Sequence, residues 1–223
     1  NTAGHGKVNL DKAIYQSCNV FFYHLMQKLS FSDWKELAEK FGFGSITGVD
    51  LYGEKAGNVP GKSYLNNKYG KFGWAAGNLL TFIIGQGDIL VTPIQVVQMM
   101  NIIATRGNTR SPHFYFDGTS EKVALSLKFS TWDYLQNATW EVVNHENGTG
   151  KVAHVNGAII HGKTGTAQNP HGEDHSWFAG YLVKDGSPVL SLVVLVEHGG
   201  KGSVEAASIS HKIFNYAQEN FSL

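Results

Sequence analysis

Ile159-Ile160-His161-Gly162-Lys163-Thr164-Gly165-Thr166-Ala167-Gln168 opens with two β-branched residues and reads as a β-strand. A short polar loop follows it, and then the apolar run Trp177-Phe178-Ala179-Gly180-Tyr181-Leu182-Val183. The pattern predicts a strand, a turn and a second strand paired antiparallel to the first. Lys163, Thr164 and Gly165 then set a cation, a hydroxyl and a bare backbone on one rim. Glycine lets another backbone approach closely, so the trio suits an acyl-peptide or a peptide carboxylate. Taken alone the tripeptide is common, and an exposed lysine beside a strand-edge glycine is the plainer reading.

A second element lies far from the first. Ser17-Cys18-Asn19 sits between the helical patterns Leu10-Asp11-Lys12-Ala13-Ile14-Tyr15 and Val20-Phe21-Phe22-Tyr23-His24-Leu25. It places a hydroxyl and a carboxamide on one loop. Helix capping explains the same residues, because serine and asparagine favour such junctions.

Between and around these elements the chain reads as one mixed α+β domain, helices first and strands last. Residues 9–29 form two short apolar helices around the serine motif, and 32–41 a third. The stretch 42–80 is rich in Gly, Asn, Lys and Tyr without periodicity, which predicts a long functional loop region. Thr92-Pro93 starts a helix reaching Ala104, with proline well placed in its first turn. Trp132 to Val143 forms another, then strands come near 158–168, 175–183 and 188–197. Ser203 to Tyr216 closes the chain as an amphipathic helix with Ala207, Ile209, Ile213 and Phe214 inward. There is no internal repeat or low-complexity tract.

Ser-x-Asn followed by Lys-Thr-Gly is the order found in serine penicillin-recognising enzymes, behind a nucleophile motif Ser-x-x-Lys. The chain resembles the transpeptidase domain of class B penicillin-binding proteins, most of all the elongation-type penicillin-binding protein 2 group. The resemblance runs over nearly the whole length. It includes His5-Gly6-Lys7-Val8-Asn9-Leu10, Phe21-Phe22-Tyr23, Lys40-Phe41-Gly42-Phe43-Gly44 and Thr47-Gly48-Val49-Asp50-Leu51. It continues through Gly57-Asn58-Val59-Pro60, Ile84-Gly85-Gln86-Gly87, Thr92-Pro93-Ile94-Gln95 and His175-Ser176-Trp177-Phe178.

That resemblance implies a β-lactamase-like fold, an antiparallel sheet packed with helices. It also implies that 1–223 is a single partial transpeptidase domain, because Ser-x-x-Lys does not occur in the sixteen residues before Ser17. The one formal match, Ser32-Asp33-Trp34-Lys35, falls in the wrong order. Ser32 reads there as a helix N-cap, with Asp33 favourable to the helix dipole. The implied chemistry is D,D-transpeptidation: a serine supplied by preceding sequence attacks the carbonyl between two D-alanines of a peptidoglycan stem peptide. The resemblance gives Ser17, Asn19 and Lys163 the catalytic roles. Ser17 relays a proton, Asn19 holds the substrate amide, and Lys163 supplies positive potential. Thr164, Gly165 and Thr166 bind substrate, the threonine hydroxyls taking its carboxylate and the Thr166 N–H forming half of an oxyanion hole. Expected partners are stem peptides, β-lactam antibiotics and, through the longer protein, a membrane glycan polymerase. The expected location is the periplasmic face of the bacterial inner membrane, with the anchor preceding this chain. The 223 residues alone are expected to be inactive. With two strands and the nucleophile helix lacking, an uncovered sheet edge also makes self-association an expectation.

Composition is compatible with this. Eighteen basic and eighteen acidic residues leave no net charge, so no nucleic-acid partner is implied. One cysteine excludes an internal disulfide, and no run is apolar and long enough to span a membrane. No cofactor or metal is expected: His171, Asp174 and His175 read as loop polarity, and His5 with Cys18 is at most half of a site. Asn137-Ala138-Thr139 and Asn147-Gly148-Thr149 match glycosylation sequons by pattern only. Gly42-Phe43-Gly44-Ser45-Ile46-Thr47-Gly48 lacks dinucleotide-binding spacing. Two other readings are a catalytically dead scaffold of the same fold and, less well supported, a β-lactamase, because the resemblance runs through loops those enzymes lack.

Overall fold

A computed structural model describes residues 4–115 and 120–220. The fold is mixed α+β, as expected, and its main sheet among the described residues has three antiparallel strands. These are β3 (Ile159–Ala167), β4 (His175–Lys184) and β5 (Ser187–Val196), in the order β3-β4-β5. Their register pairs Lys163 with Ala179 and Gly165 with Trp177. The outer edge of β5 has no strand partner among the described residues.

Side-chain alternation sends one set of strand residues to each face, and each face has its own helices. Helix α8 (Glu205–Asn220) buries Ala206, Ala207, Ser210, Phe214 and Ala217, a stripe at helical spacing. That stripe packs with Ile160, Phe178 and Leu182, and the Phe178 and Phe214 rings meet edge to face at 6.3 Å. On the opposite face Ala179 and Tyr181 pack against Met100, Ile103 and Ala104 of helix α6 (Pro93–Ala104). Helix α7 (Phe129–Asn144) joins α6 on that side, with Trp132, Ala138, Val142 and Val143 buried. Ser176, fully buried in β4, donates its hydroxyl to Lys201 O and accepts the N–H of Ala206, which anchors the start of α8.

The front of the chain is helical. Helices α1 (Leu10–Tyr15) and α2 (Asn19–Met26) flank the serine motif as expected. Helix α3 spans Phe31–Lys40, and its N-cap residue is Ser30; Ser32 lies inside the first turn. Ser32 is therefore not the cap, although its hydroxyl does bond that of Ser30 at 2.6 Å. Helix α7 begins three residues earlier than expected, at Phe129.

The expectation of helix-free sequence over 42–80 is corrected. Helices α4 (Lys62–Tyr69) and α5 (Ala76–Phe82) lie there. In α4 only Leu65 is buried, so no apolar period announces the helix; Gly61 and Gly70 bound it, and Trp74 Nε1 donates to Asn66 Oδ1 at 2.8 Å. The loop before it is held by polar staples. Glu54 accepts from Thr47 N, Thr47 Oγ1 and Gly48 N. Gln95, fully buried, donates to Ser45 O and Ala56 O at 2.7 and 2.8 Å. A short hairpin, β1 (Asn108–Arg110) with β2 (Lys122–Ala124), was not anticipated. Among the described residues no helix is long and apolar enough to cross a membrane.

Candidate active site

The turn joining α1 to α2 puts Ser17 where helices usually place glycine. The N–H of Ser17 bonds Ile14 O at 3.2 Å and that of Cys18 bonds Ala13 O at 2.9 Å. This is the paired closure of a Schellman motif, whose left-handed position prefers glycine. Ser17 occupies it with φ of +51°. Left-handed backbone costs a residue with a side chain roughly 1 kcal/mol or more and gathers at functional sites. Capping accounts for neither motif residue: the N-cap of α2 is Cys18, which is buried and makes no side-chain cap bond. Asn19 opens α2 and is exposed to the cleft.

Lys163 reaches this turn from the middle of β3. Its Nζ donates to Ser17 Oγ and, at 3.0 Å, to Thr164 O. Protein atoms shield the ammonium, and that desolvation pushes its pKa down to about 8. The lysine is therefore still mostly charged at neutral pH.

Thr164 donates its hydroxyl to Thr149 Oγ1 at 2.9 Å. Thr149 in turn donates its N–H to Tyr15 O at 2.9 Å, and the Tyr15 ring stacks on His145 with centroids 4.0 Å apart. The 145–149 loop thus clamps the end of α1 to β3. Thr166 Oγ1 accepts the N–H of Gly202 at 3.1 Å, and Thr166 O accepts from Gln86 Nε2 at 2.7 Å. Gly165 lines the cleft, yet a methyl on it would press on Trp177 Cβ at 3.2 Å, so its bareness serves cross-strand packing as well as access.

The cleft holds about 600 Å³. Ser17, Asn19, Lys163, Thr164, Gly165 and Thr166, all singled out in the sequence, line it together. A second hollow of about 660 Å³ lies on the other side of the serine turn, between His5, Cys18, Val20 and His24. Three residues with roles here went unassigned in the sequence: Gln86, Thr149 and Gly202. Gln86 stood in a matching tetrapeptide, Ile84-Gly85-Gln86-Gly87, and Thr149 in a sequon set aside as decorative. Asp174 and His175, considered as metal ligands, instead accept backbone N–H groups from Asn169 and His198.

Mixed layers, a strained serine turn and a desolvated lysine on an antiparallel strand meet at this cleft. The chain belongs to the penicillin binding protein transpeptidase domain family, whose model matches residues 1–215. It is 30% identical to peptidoglycan D,D-transpeptidase MrdA of Haemophilus influenzae over 96% of this chain and 37% of that protein. It superposes on penicillin-binding protein 2 of Helicobacter pylori with a TM-score of 0.90 at 32% identity, covering 99% of this chain and 42% of that one. The same H. pylori protein in complex with MreC gives a TM-score of 0.89 at 31% identity, over 100% and 42%. The chain spans little more than a third of the length of the curated relatives it matches, 37% and 35% for two of them.

Proposed function

We propose that this chain is the part of a peptidoglycan D,D-transpeptidase that binds the stem peptide and moves its protons. The reading that 1–223 is a partial domain goes with it: the acyl-accepting serine and its Ser-x-x-Lys lysine come from sequence outside these residues. The hydrogen bond from Lys163 to Ser17 is the observation that carries the proposal. It brings a cation and a hydroxyl from opposite ends of the chain to one cleft.

In this scheme Lys163 keeps the Ser17 hydroxyl polarised, and Ser17 passes a proton to the departing D-alanine amine. Asn19 holds the substrate amide, and the Thr164 and Thr166 hydroxyls receive the terminal carboxylate. Thr166 bonds Gln86 through its carbonyl, so its peptide groups face away from β4, because both groups of a residue point to the same side of an antiparallel strand. Its N–H is thereby aimed at the cleft, suited to one half of an oxyanion hole. The same cleft suits β-lactams, which carry an acyl group and a carboxylate at similar separation. Engagement of a glycan polymerase and a periplasmic location at the inner membrane belong to the whole protein. A similar solved structure, a peptidoglycan synthase complex described as coordinating polymerization and crosslinking, supports an assembly with a polymerase.

The test is an amide chemical-shift titration of the chain with Nα,Nε-diacetyl-L-lysyl-D-alanyl-D-alanine. The expected result is movement of the Ser17–Asn19 and Lys163–Thr166 signals, with no matching response to the L-alanyl-L-alanine peptide. Indifference to that stereochemistry contradicts the proposal.

A further inference from the structure

The segment just after α5 lines the cleft with Ile83, Ile84 and Gln86, and Gln86 reaches β3. Gln86 Nε2 donates to Thr166 O at 2.7 Å, and Gln86 Oε1 accepts the N–H of Gln168 at 3.3 Å. A carboxamide carries the same donor and acceptor as a peptide group. Gln86 therefore imitates an added strand, bracketing Ala167 at the end of an edge that is otherwise open to the cleft. Exposed strand edges are the places where extended peptides add to a sheet.

The Gln86 backbone is anchored, its N–H bonding Thr81 O at 3.0 Å and the Gly85 N–H bonding Phe82 O at 3.0 Å, so release is a swing of the side chain alone. Gly85 and Gly87 flank it, both left-handed, with φ of +74° and +80°. Ile83 and Ile84 accompany Gln86 along the cleft wall.

We propose that Gln86 is a gate on the peptide-binding edge of β3: it occupies Thr166 O and Gln168 N–H until an extended acyl-peptide takes its place. This rests on the functional reading above and adds a specificity rule to it. A ligand must bring its own N–H to Thr166 O, in register, to compensate for the bonds that Gln86 gives up. Short or N-alkylated acyl groups leave that carbonyl to Gln86 and compete poorly with it.

The peptide titration tests the gate separately from the site. In the unsubstituted chain, the side-chain amide signals of Gln86 move towards free-solvent positions as the D-alanyl-D-alanine peptide saturates. In Gln86→Ala and Gln86→Leu the peptide binds roughly five- to a hundredfold tighter, the worth of the two hydrogen bonds relinquished. Gln86 signals that stay fixed at saturation overturn the gate, and this readout needs no variant to fold. Unchanged or weaker binding by well-folded variants overturns it too. If the Ser17 and Lys163 signals respond in those cases, the gate has failed and the functional reading stands. If no peptide binds the chain or its variants at all, both fall.

Discussion

Gly202 stands so close to Gly165 that a methyl group built on it would lie 1.9 Å from the Gly165 carbonyl oxygen and 2.6 Å from that of Trp177. The sheet and the 200–204 turn are therefore interlocked at backbone level, directly behind the Lys-Thr-Gly rim. The Gly202 N–H also holds Thr166 Oγ1. The rim is rigid because a second segment is pressed into it.

Gly202→Ala must therefore displace one backbone or the other, since no flexible side chain is available to yield. The expected outcome is a loss of stability of about 1–3 kcal/mol, as overpacked sites generally show. Peptide affinity falls more than tenfold, because the rim moves with the turn. Denaturant midpoints and the amide titration measure the two effects.

Lys163 sets a pH dependence. Below pH 8 its ammonium is charged and attracts the carboxylate of the peptide; above it the charge is lost. Peptide affinity should fall as pH rises through about 8, and Lys163→Met should be weak and flat across that range. Stability runs the other way. A lysine whose folded pKa is depressed favours the neutral form on folding, so its contribution is present above the ordinary lysine value of about 10.4 and is lost as pH falls towards 8. The melting temperature of the unsubstituted chain, relative to Lys163→Met, should climb between those values.

Phe214 is fully buried between α8 and the sheet, against Phe178. Phe214→Ala should cost about 3–5 kcal/mol, a large share of the 5–15 kcal/mol that a domain of this kind holds. Thermal unfolding reads the loss directly.

Among the described residues the outer edge of β5 has no strand partner, and the strand carries Val189, Leu190, Leu192, Val193 and Val194 with few polar interruptions. Long apolar edges invite pairing with another chain. We expect concentration-dependent association of this 223-residue chain. Light scattering across a wide concentration range checks it.

Much of this was legible in the sequence, for physical reasons that differ by element. The β3–β4 hairpin announced itself through β-branched residues and a polar break, and α6 through Thr92-Pro93. Thr92 and Gln95 do form reciprocal capping bonds at 2.9 and 3.3 Å. Ser17 and Lys163 were placed together by motif order, yet the strain at Ser17 was not visible, because a Schellman turn normally shows a glycine. Helix α4 was missed because Leu65 alone faces inward. Gln86 and Thr149 were missed for another reason: each reaches β3 from a distant point in the chain through one polar side chain, which leaves no periodic trace.

The most direct measurement is a crystal structure of this chain with Nα,Nε-diacetyl-L-lysyl-D-alanyl-D-alanine bound. The terminal carboxylate is predicted to lie about 3 Å from the Thr164 and Thr166 hydroxyls, beside Lys163, with Asn19 on the peptide amide and Gln86 swung off Thr166. A peptide ordered instead in the hollow between His5 and His24, with nothing at the threonines, would contradict the account.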